Sequence, residues 1–312
     1  GIILGLTTMA VGCFLFYPAA SFRTCGIFML GYFVLAGGMT ILQVAANPYV
    51  AALGSEKTSS SRLILSQAFN SLGTALAPSV GAIYFLSDKI LSKEEIKLLD
   101  LESREIYYLS EASAVQGPFI FFGCFLLAIA IVFLFIKLPS LMPKKESGTY
   151  LDAINQKNLI YGVIGIFFYV GAEVTIGSYL VNYFLDMNLV DSIKNNSIMN
   201  SIATFFKHDI FALLDNGDYK YSNKAVFGLF VTFYWSGAMV GRFIGSYLTK
   251  IFQAGRVLSF FALVAIFLIF LSAISNGLIS MWSILAIGLF NSIMFPTIFT
   301  LSLNGLGNLK PK

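Results

Sequence analysis

A chain of 312 residues has room for one large domain or two ordinary ones, but only 12% of its residues are charged while 57% are hydrophobic, and its mean hydropathy is +0.79. A soluble domain carries about 25% charged residues, so a water-soluble enzyme is excluded and an integral membrane protein is expected. The net charge of +4 matters only through its placement, and nothing in it marks a nucleic-acid partner.

Eight runs are long and apolar enough to span a bilayer as helices, which takes roughly 20 residues each. In chain order they are Gly1–Ala19, Thr24–Leu53, Leu63–Leu86, Pro118–Ile136, Asn158–Leu185, Ala225–Leu248, Val257–Ile274 and Leu278–Leu303. None shows the alternation of a barrel strand, so the fold class is all-α. The second, fifth and eighth runs are long enough that they should tilt or break, and Pro48 and Pro296 interrupt two of them.

The connections after the second, fourth, sixth and eighth runs concentrate Lys57, Arg62, Lys137, Lys144, Lys145, Lys157, Lys250, Arg256, Lys310 and Lys312 in short segments. Short basic loops lie on the cytoplasmic side. The longer connections Ser87–Gly117 and Met187–Lys224 are then outside. Lys137–Lys157, with Pro139, Pro143 and a Lys-Lys pair, divides the runs four and four and reads as a central cytoplasmic linker. A weak internal echo places Gln43 five residues before Pro48 and Asn291 five before Pro296. Repeated halves flanking a substrate path are a common plan of secondary transporters.

Cys13, Cys25 and Cys124 form neither a disulfide pattern nor a metal-ligand spacing, and the single His208 sits in a polar connection. No metal, cofactor or catalytic site is expected. Without a GxxxxGK[ST] loop, an ATP-driven pump would need a separate motor. The opening Gly1-Ile2-Ile3-Leu4 carries no initiator Met or charged leader and is expected to lie inside a longer protein.

Polar side chains at membrane depth are costly, so those present are candidates for function. Gln43 and Asn47 share a face of the second run, and Gln67, Asn70, Ser71 and Thr74 form a stripe on the third. Amides and hydroxyls both donate and accept, as sugar hydroxyls do. The competing role for each is interhelical bonding, at about 0.6 kcal/mol per bond. With Tyr169, Asn182 and Asn291 these residues are expected to line a cavity for a monosaccharide. Glu173 is the only acidic side chain well inside a run. Ionisation costs about 3 kcal/mol there, so proton uptake and release during a cycle is its expected chemistry, and pairing with Arg242 is the structural alternative. Gly237, Gly241 and Gly245 form a ridge for close helix approach.

The segments Gly38-Met-Thr-Ile-Leu-Gln-Val-Ala-Ala-Asn-Pro-Tyr-Val-Ala-Ala-Leu-Gly54 and Ser61-Arg-Leu-Ile-Leu-Ser-Gln-Ala-Phe-Asn-Ser-Leu-Gly73 resemble the fucose–galactose–glucose proton symporter family of the major facilitator superfamily. So do Tyr169-Val-Gly-Ala-Glu173, Gly241-Arg-Phe-Ile-Gly245 and Phe295-Pro-Thr-Ile-Phe-Thr-Leu301. The resemblance covers essentially the whole chain and is strongest to the bacterial glucose/galactose branch. It implies twelve helices, of which about eight are present. Residues 1–136 would be the last four helices of the N-terminal half, 137–157 the linker, and 158–312 the first four of the C-terminal half. It also implies Asn70 as a sugar contact. Gln43 stands where fucose permeases carry a glutamate, which shifts attention to Glu173 for coupling.

The expected function is therefore a multi-pass transporter of the cell inner membrane, bathed in membrane lipid and monomeric. It would move a hexose (glucose or galactose ahead of fucose) with protons by alternating access. Alternatives are an uncoupled or sodium-coupled sugar transporter, a membrane-embedded glycosyl- or acyltransferase, and a sugar sensor. His208 is too isolated to supply the constellation such an enzyme needs.

Overall fold

The structure, a computed structural model, describes residues 1–85, 96, 98–139, 156–187, 189–205 and 223–303, and among these residues regular structure is helical with no strand. The helices are α1 (Ile2–Ser21), α2 (Cys25–Ala52), α3 (Ser59–Phe85), α4 (Leu101–Ala114), α5 (Gln116–Phe135), α6 (Lys157–Asp186), α7 (Leu189–Asn195), α8 (Ser197–Phe205), α9 (Asn223–Ile251), α10 (Ala254–Ile274), α11 (Gly277–Asn291) and α12 (Met294–Ser302), with a short 3-10 turn at Glu56–Thr58. Every expected run coincides with a helix, and the eighth with two. Among the described residues six segments are long and apolar enough to cross a membrane. The helices of the other two runs, α3 and α9, are also long enough at 27 and 29 residues. His208 and positions 140–155 of the expected linker lie outside the described residues.

The two expected prolines behave differently. Pro48 sits inside an unbroken α2, so the second run is not interrupted there. The eighth run does break, but at Ser292–Ile293, which leaves Pro296 in the first turn of α12. A proline is tolerated there because the first N–H groups of a helix have no internal acceptor.

By contact the chain forms two compact units, Gly1–Tyr49 with Val80–Ser140 and Val50–Ser79 with Leu141–Lys312. In the first, α1 packs on α2 and α5. Gly5 and Gly12 of α1 lie against Leu42 and Leu35, and Gly38 of α2 lies against Met9, so closely that a Cβ at any of them would overlap the facing helix. Lipid removes the hydrophobic drive between helices, and close van der Waals packing of this kind replaces it. Phe16 is fully buried, stacked on Phe119 of α5 at 3.9 Å and edge-on to Phe28 and Tyr32 of α2 at 5.0 Å. In the connection before the fourth run, Asp100 caps α4 by accepting from the Ser103 N–H. Hydrogen bonds from Ser103 hold the Asp100 carboxyl below its usual range. On α4, Glu105 pairs with Arg23 at 2.6 Å.

In the second unit, the end of α2 is fastened by Arg62. Its Nε and Nη2 donate to the carbonyls of Val50 (3.3 Å) and Ala51 (2.7 Å), and its Nη1 donates to Ser55 O (3.0 Å) and Thr58 Oγ1 (2.6 Å). The last carbonyls of a helix lack internal donors and sit at its negative end, so a cation satisfies both needs. Gly54, at φ +108°, makes the turn between them. Arg62, counted by sequence among the loop charges, is thus a helix-capping group.

The core of this unit joins Leu180 and Phe184 of α6, Phe230 and Tyr234 of α9, and Met281 and Leu285 of α11. The long connection after the fifth run contributes too. It folds into α7 and α8, whose Leu189, Ile193 and Met199 are buried in the same cluster. The ridge of α9 meets α11 and the break that follows it: Gly237 and Gly241 lie against Leu289, and Gly245 against Ile293. Gly241→Ala would overlap Leu289 O and Ser292 Oγ and should destabilise the protein by about 1–3 kcal/mol. Gly37→Ala, with no neighbouring atom within 4 Å, should be neutral or stabilising by about 0.5–1 kcal/mol. Unfolding in detergent micelles measures both.

Candidate functional site

The packed face of α6 reads Gly162, Tyr169, Leu180, Phe184, all buried and spaced by seven, eleven and four as one helical stripe. Glu173 lies on that stripe, one turn after Tyr169, with its side chain 17% exposed. Facing it from α9 is Arg242, 13% exposed, with Nη2 3.9 Å from Glu173 Oε1. That distance is an ion pair without a hydrogen bond.

The other nitrogens of Arg242 are committed elsewhere. Nε donates to the Ser292 carbonyl at 3.1 Å, and Nη1 donates to the Gln67 carbonyl at 3.1 Å and to the Ser71 hydroxyl. Ser292 lies between α11 and α12, where the helix break gives its carbonyl an external donor. One planar guanidinium therefore joins α3, α6, α9 and the break. Beside it, the Asn291 side-chain N–H donates to the Tyr234 hydroxyl at 2.6 Å. Both tyrosines, Tyr169 and Tyr234, lie in the electric field of Glu173 and Arg242. Among the described residues of this unit, three buried polar atoms have no hydrogen-bond partner: Tyr169 Oη, Asn291 Oδ1 and Thr297 Oγ1. Unsatisfied groups are rare in folded interiors, and here one is on α6 with Glu173 and two flank the break whose Ser292 carbonyl binds Arg242.

Of the residues picked out by sequence, Tyr169, Glu173, Asn291 and the backbone of Gln67 are brought into this cluster. Gln67 itself is half-buried, while Asn70 and Thr74, one step round α3, are exposed, so the stripe splits between a packed edge and an open one. Asn182 is exposed and nine residues beyond Glu173, half a circle round α6, and the structure does not bring it to the cluster. Gln43, exposed, and Asn47, 8% exposed, belong to the first unit and lie along α2. Sequence reasoning passed over Tyr234. It extends the Gly237–Gly241–Gly245 ridge by one step, and a tyrosine on a packed ridge needs a partner for its hydroxyl.

The site holds donors, acceptors and one titratable acid, a set suited to binding a hydroxylated solute and moving a proton. Among the described residues no group of His, Cys, Asp and Glu could hold a metal. A depression of about 880 Å³ beside Phe167, Val170 and Val174 is lined by α6 alone, without Tyr169 or Glu173, and is apolar, as expected of a helix face turned to lipid or to another helix.

Known proteins agree with the motifs. No protein-family model matches the chain. It is 41% identical over 315 residues to the glucose/galactose transporter of Brucella abortus, taking in 99% of the chain and 65% of that protein. A presumed glucose/galactose transporter of Helicobacter pylori is 38% identical, with all of the chain aligned to 67% of its length. The crystal structure of a variant of the Escherichia coli fucose:proton symporter, 27% identical, matches with a TM-score of 0.82 over 99% of the chain and 70% of the symporter. The chain belongs to the fucose–galactose–glucose proton symporter family of the major facilitator superfamily, and it is a multi-pass membrane protein. It spans just under two thirds of the length of the Brucella relative, 65%.

Tyr234→Phe strips the Asn291 amide of its acceptor in a buried position. It should cost about 1–3 kcal/mol of stability, read as a lowered unfolding midpoint in detergent, whereas Tyr179→Phe, at an exposed hydroxyl, should cost less than about 0.5 kcal/mol.

Proposed function

We propose that the protein is a secondary transporter of the inner membrane that moves a hexose, glucose or galactose, by alternating access, with proton movement coupled through Glu173. The observation that carries the coupling is the 3.9 Å approach of Glu173 to Arg242 without a hydrogen bond, inside a mostly buried face. An acid so placed can exchange its counter-charge for a proton when the surroundings shift. The names of the relatives support the substrate class.

The proposed sugar contacts are Gln43, Asn47, Gln67, Asn70, Tyr169 and Asn291. Asn182, exposed on the opposite side of α6 from Glu173, completes the proposed set. The four-and-four division, with 137–157 as a cytoplasmic linker, supplies the two halves of the cycle, and labelling a cysteine at position 147 from outside intact cells should fail. An uncoupled transporter is the second reading, and the same ion pair favours it if Glu173 stays ionised throughout.

Proteoliposomes containing the complete protein separate the two. Glu173→Gln should abolish uphill uptake driven by a proton gradient while leaving sugar exchange, which needs no net proton movement. Normal uphill uptake would leave Glu173 a structural partner of Arg242. Asn70→Ala should weaken sugar binding by about 0.5–1.5 kcal/mol, roughly two- to tenfold, and an unchanged affinity removes Asn70 from the site.

A further inference from the structure

We propose that Arg242 is a positioning residue that transmits the charge of Glu173 to α3, holding the stretch of α3 around Gln67 and Ser71 against α9 only while Glu173 is ionised. This rests on the reading of Glu173 as the titrating group.

Besides the packing of Ile64 with Val257, Phe261 and Ile293 and the bonds of Arg62 to the end of α2, four sets of polar and aromatic contacts hold α3 among the described residues of the second unit. Ser60 Oγ lies 2.6 Å from Thr300 Oγ1 on α12, and Ser61 Oγ donates to the Ser246 carbonyl on α9 at 2.7 Å. The rings of Phe69 and Phe243 meet edge-on at 6.0 Å. The fourth is Arg242 Nη1, on Gln67 O and Ser71 Oγ. Of these four only the Arg242 contact carries charge, and only it can respond to a proton.

The response follows from the shape of the guanidinium. Arginine stays charged at any physiological pH, and its donors are fixed in one plane. Arg242 is 13% exposed, so Glu173 is the counter-charge that makes its position tolerable. Removing one partner of a buried pair leaves an uncompensated ion, which is strongly unfavourable. Once Glu173 takes a proton, the guanidinium is driven to turn toward water or another anion. Because the plane is rigid, turning Nη2 away from Glu173 also withdraws Nη1 from Gln67 and Ser71. The groups facing Glu173 allow this. Tyr169 shares its helix, Tyr234 and Arg242 face it from α9, and α12, which also packs on α6, contains no titratable side chain.

The test uses the complete protein in lipid, with the native cysteines replaced and spin labels on cysteines introduced at Phe69 and Phe243, both exposed. Strong spin–spin broadening is expected at neutral pH and its reversible loss on acidification. Glu173→Gln, nearly isosteric, should lose the broadening at every pH, and so should Arg242→Gln. The acid titration of the unsubstituted chain needs no charge replacement, so a misfolded variant does not decide the matter. Persistent broadening in Glu173→Gln, or in the unsubstituted chain in acid, overturns the proposal. Uphill uptake measured on the same samples separates the two ideas. Uptake lost with broadening kept removes the role of Arg242 and leaves the coupling role of Glu173. Broadening lost with uptake intact keeps the role of Arg242 and ends that of Glu173.

Discussion

A permanently charged guanidinium inside an apolar helix bundle must be matched on every side, and the second unit is organised around meeting that demand. Arg242 has three kinds of partner: a carboxylate on α6, a helix carbonyl with a hydroxyl on α3, and a carbonyl at the break between α11 and α12. Each is available for a separate local reason. Glu173 falls on the packed stripe of its helix by spacing. Ser71 lies four residues after Gln67, so its hydroxyl and the Gln67 carbonyl point to one side of α3. Ser292 ends a helical segment ahead of the stretch in which Pro296 stands. Replacing any one of these features would leave part of the charge unanswered.

The glycine ridge of α9 is the geometric condition for that arrangement. Gly241 precedes Arg242 and brings the backbone of α9 against Leu289 and Ser292. A side chain at 241 would push the helices apart and carry the Arg242 nitrogens away from the Ser292 carbonyl. Close packing and charge compensation are therefore one requirement met twice by adjacent residues. The same helix presents Tyr234 to Asn291 two turns earlier, so the ridge orders both the charged and the neutral polar contacts of the unit.

The spans were legible in the sequence because lipid enforces them. A helix must satisfy its own backbone wherever water is absent, and uninterrupted apolar composition reports this without knowledge of neighbours. The packed side of α6 was partly legible, since Tyr169 and Glu173 stand one turn apart, but Asn182 shows the limit: a polar residue on a long helix looks like a neighbour of the others until the angle between them is counted. The break of the eighth run was expected at a proline and found four residues before it, because proline prohibits helix behind it more weakly at a first turn than in an interior. The buried roles of Leu189, Ile193 and Met199 were illegible. Their helices are short, and their apolar side chains find partners only through the fold, among them Phe230 and Trp282.

The helices α3 and α9, joined by Arg242, both carry polar side chains along their length. Lipid contact rewards apolar side chains and does nothing for polar ones. A helix that keeps serines, amides and an arginine at depth must therefore hide them against another helix that does the same. Ser61 and Ser246 bond each other's helices through hydroxyls and carbonyls, and the Ser60 hydroxyl pairs with that of Thr300 on α12. Neutral bonds of this kind are weak singly, about 0.6 kcal/mol on average, so they can form and part without trapping the molecule in one state. In the role proposed for Arg242, the charged contact among them makes the parting conditional, and the proposed condition lies at Glu173, whose carboxylate faces the guanidinium that also bonds α3.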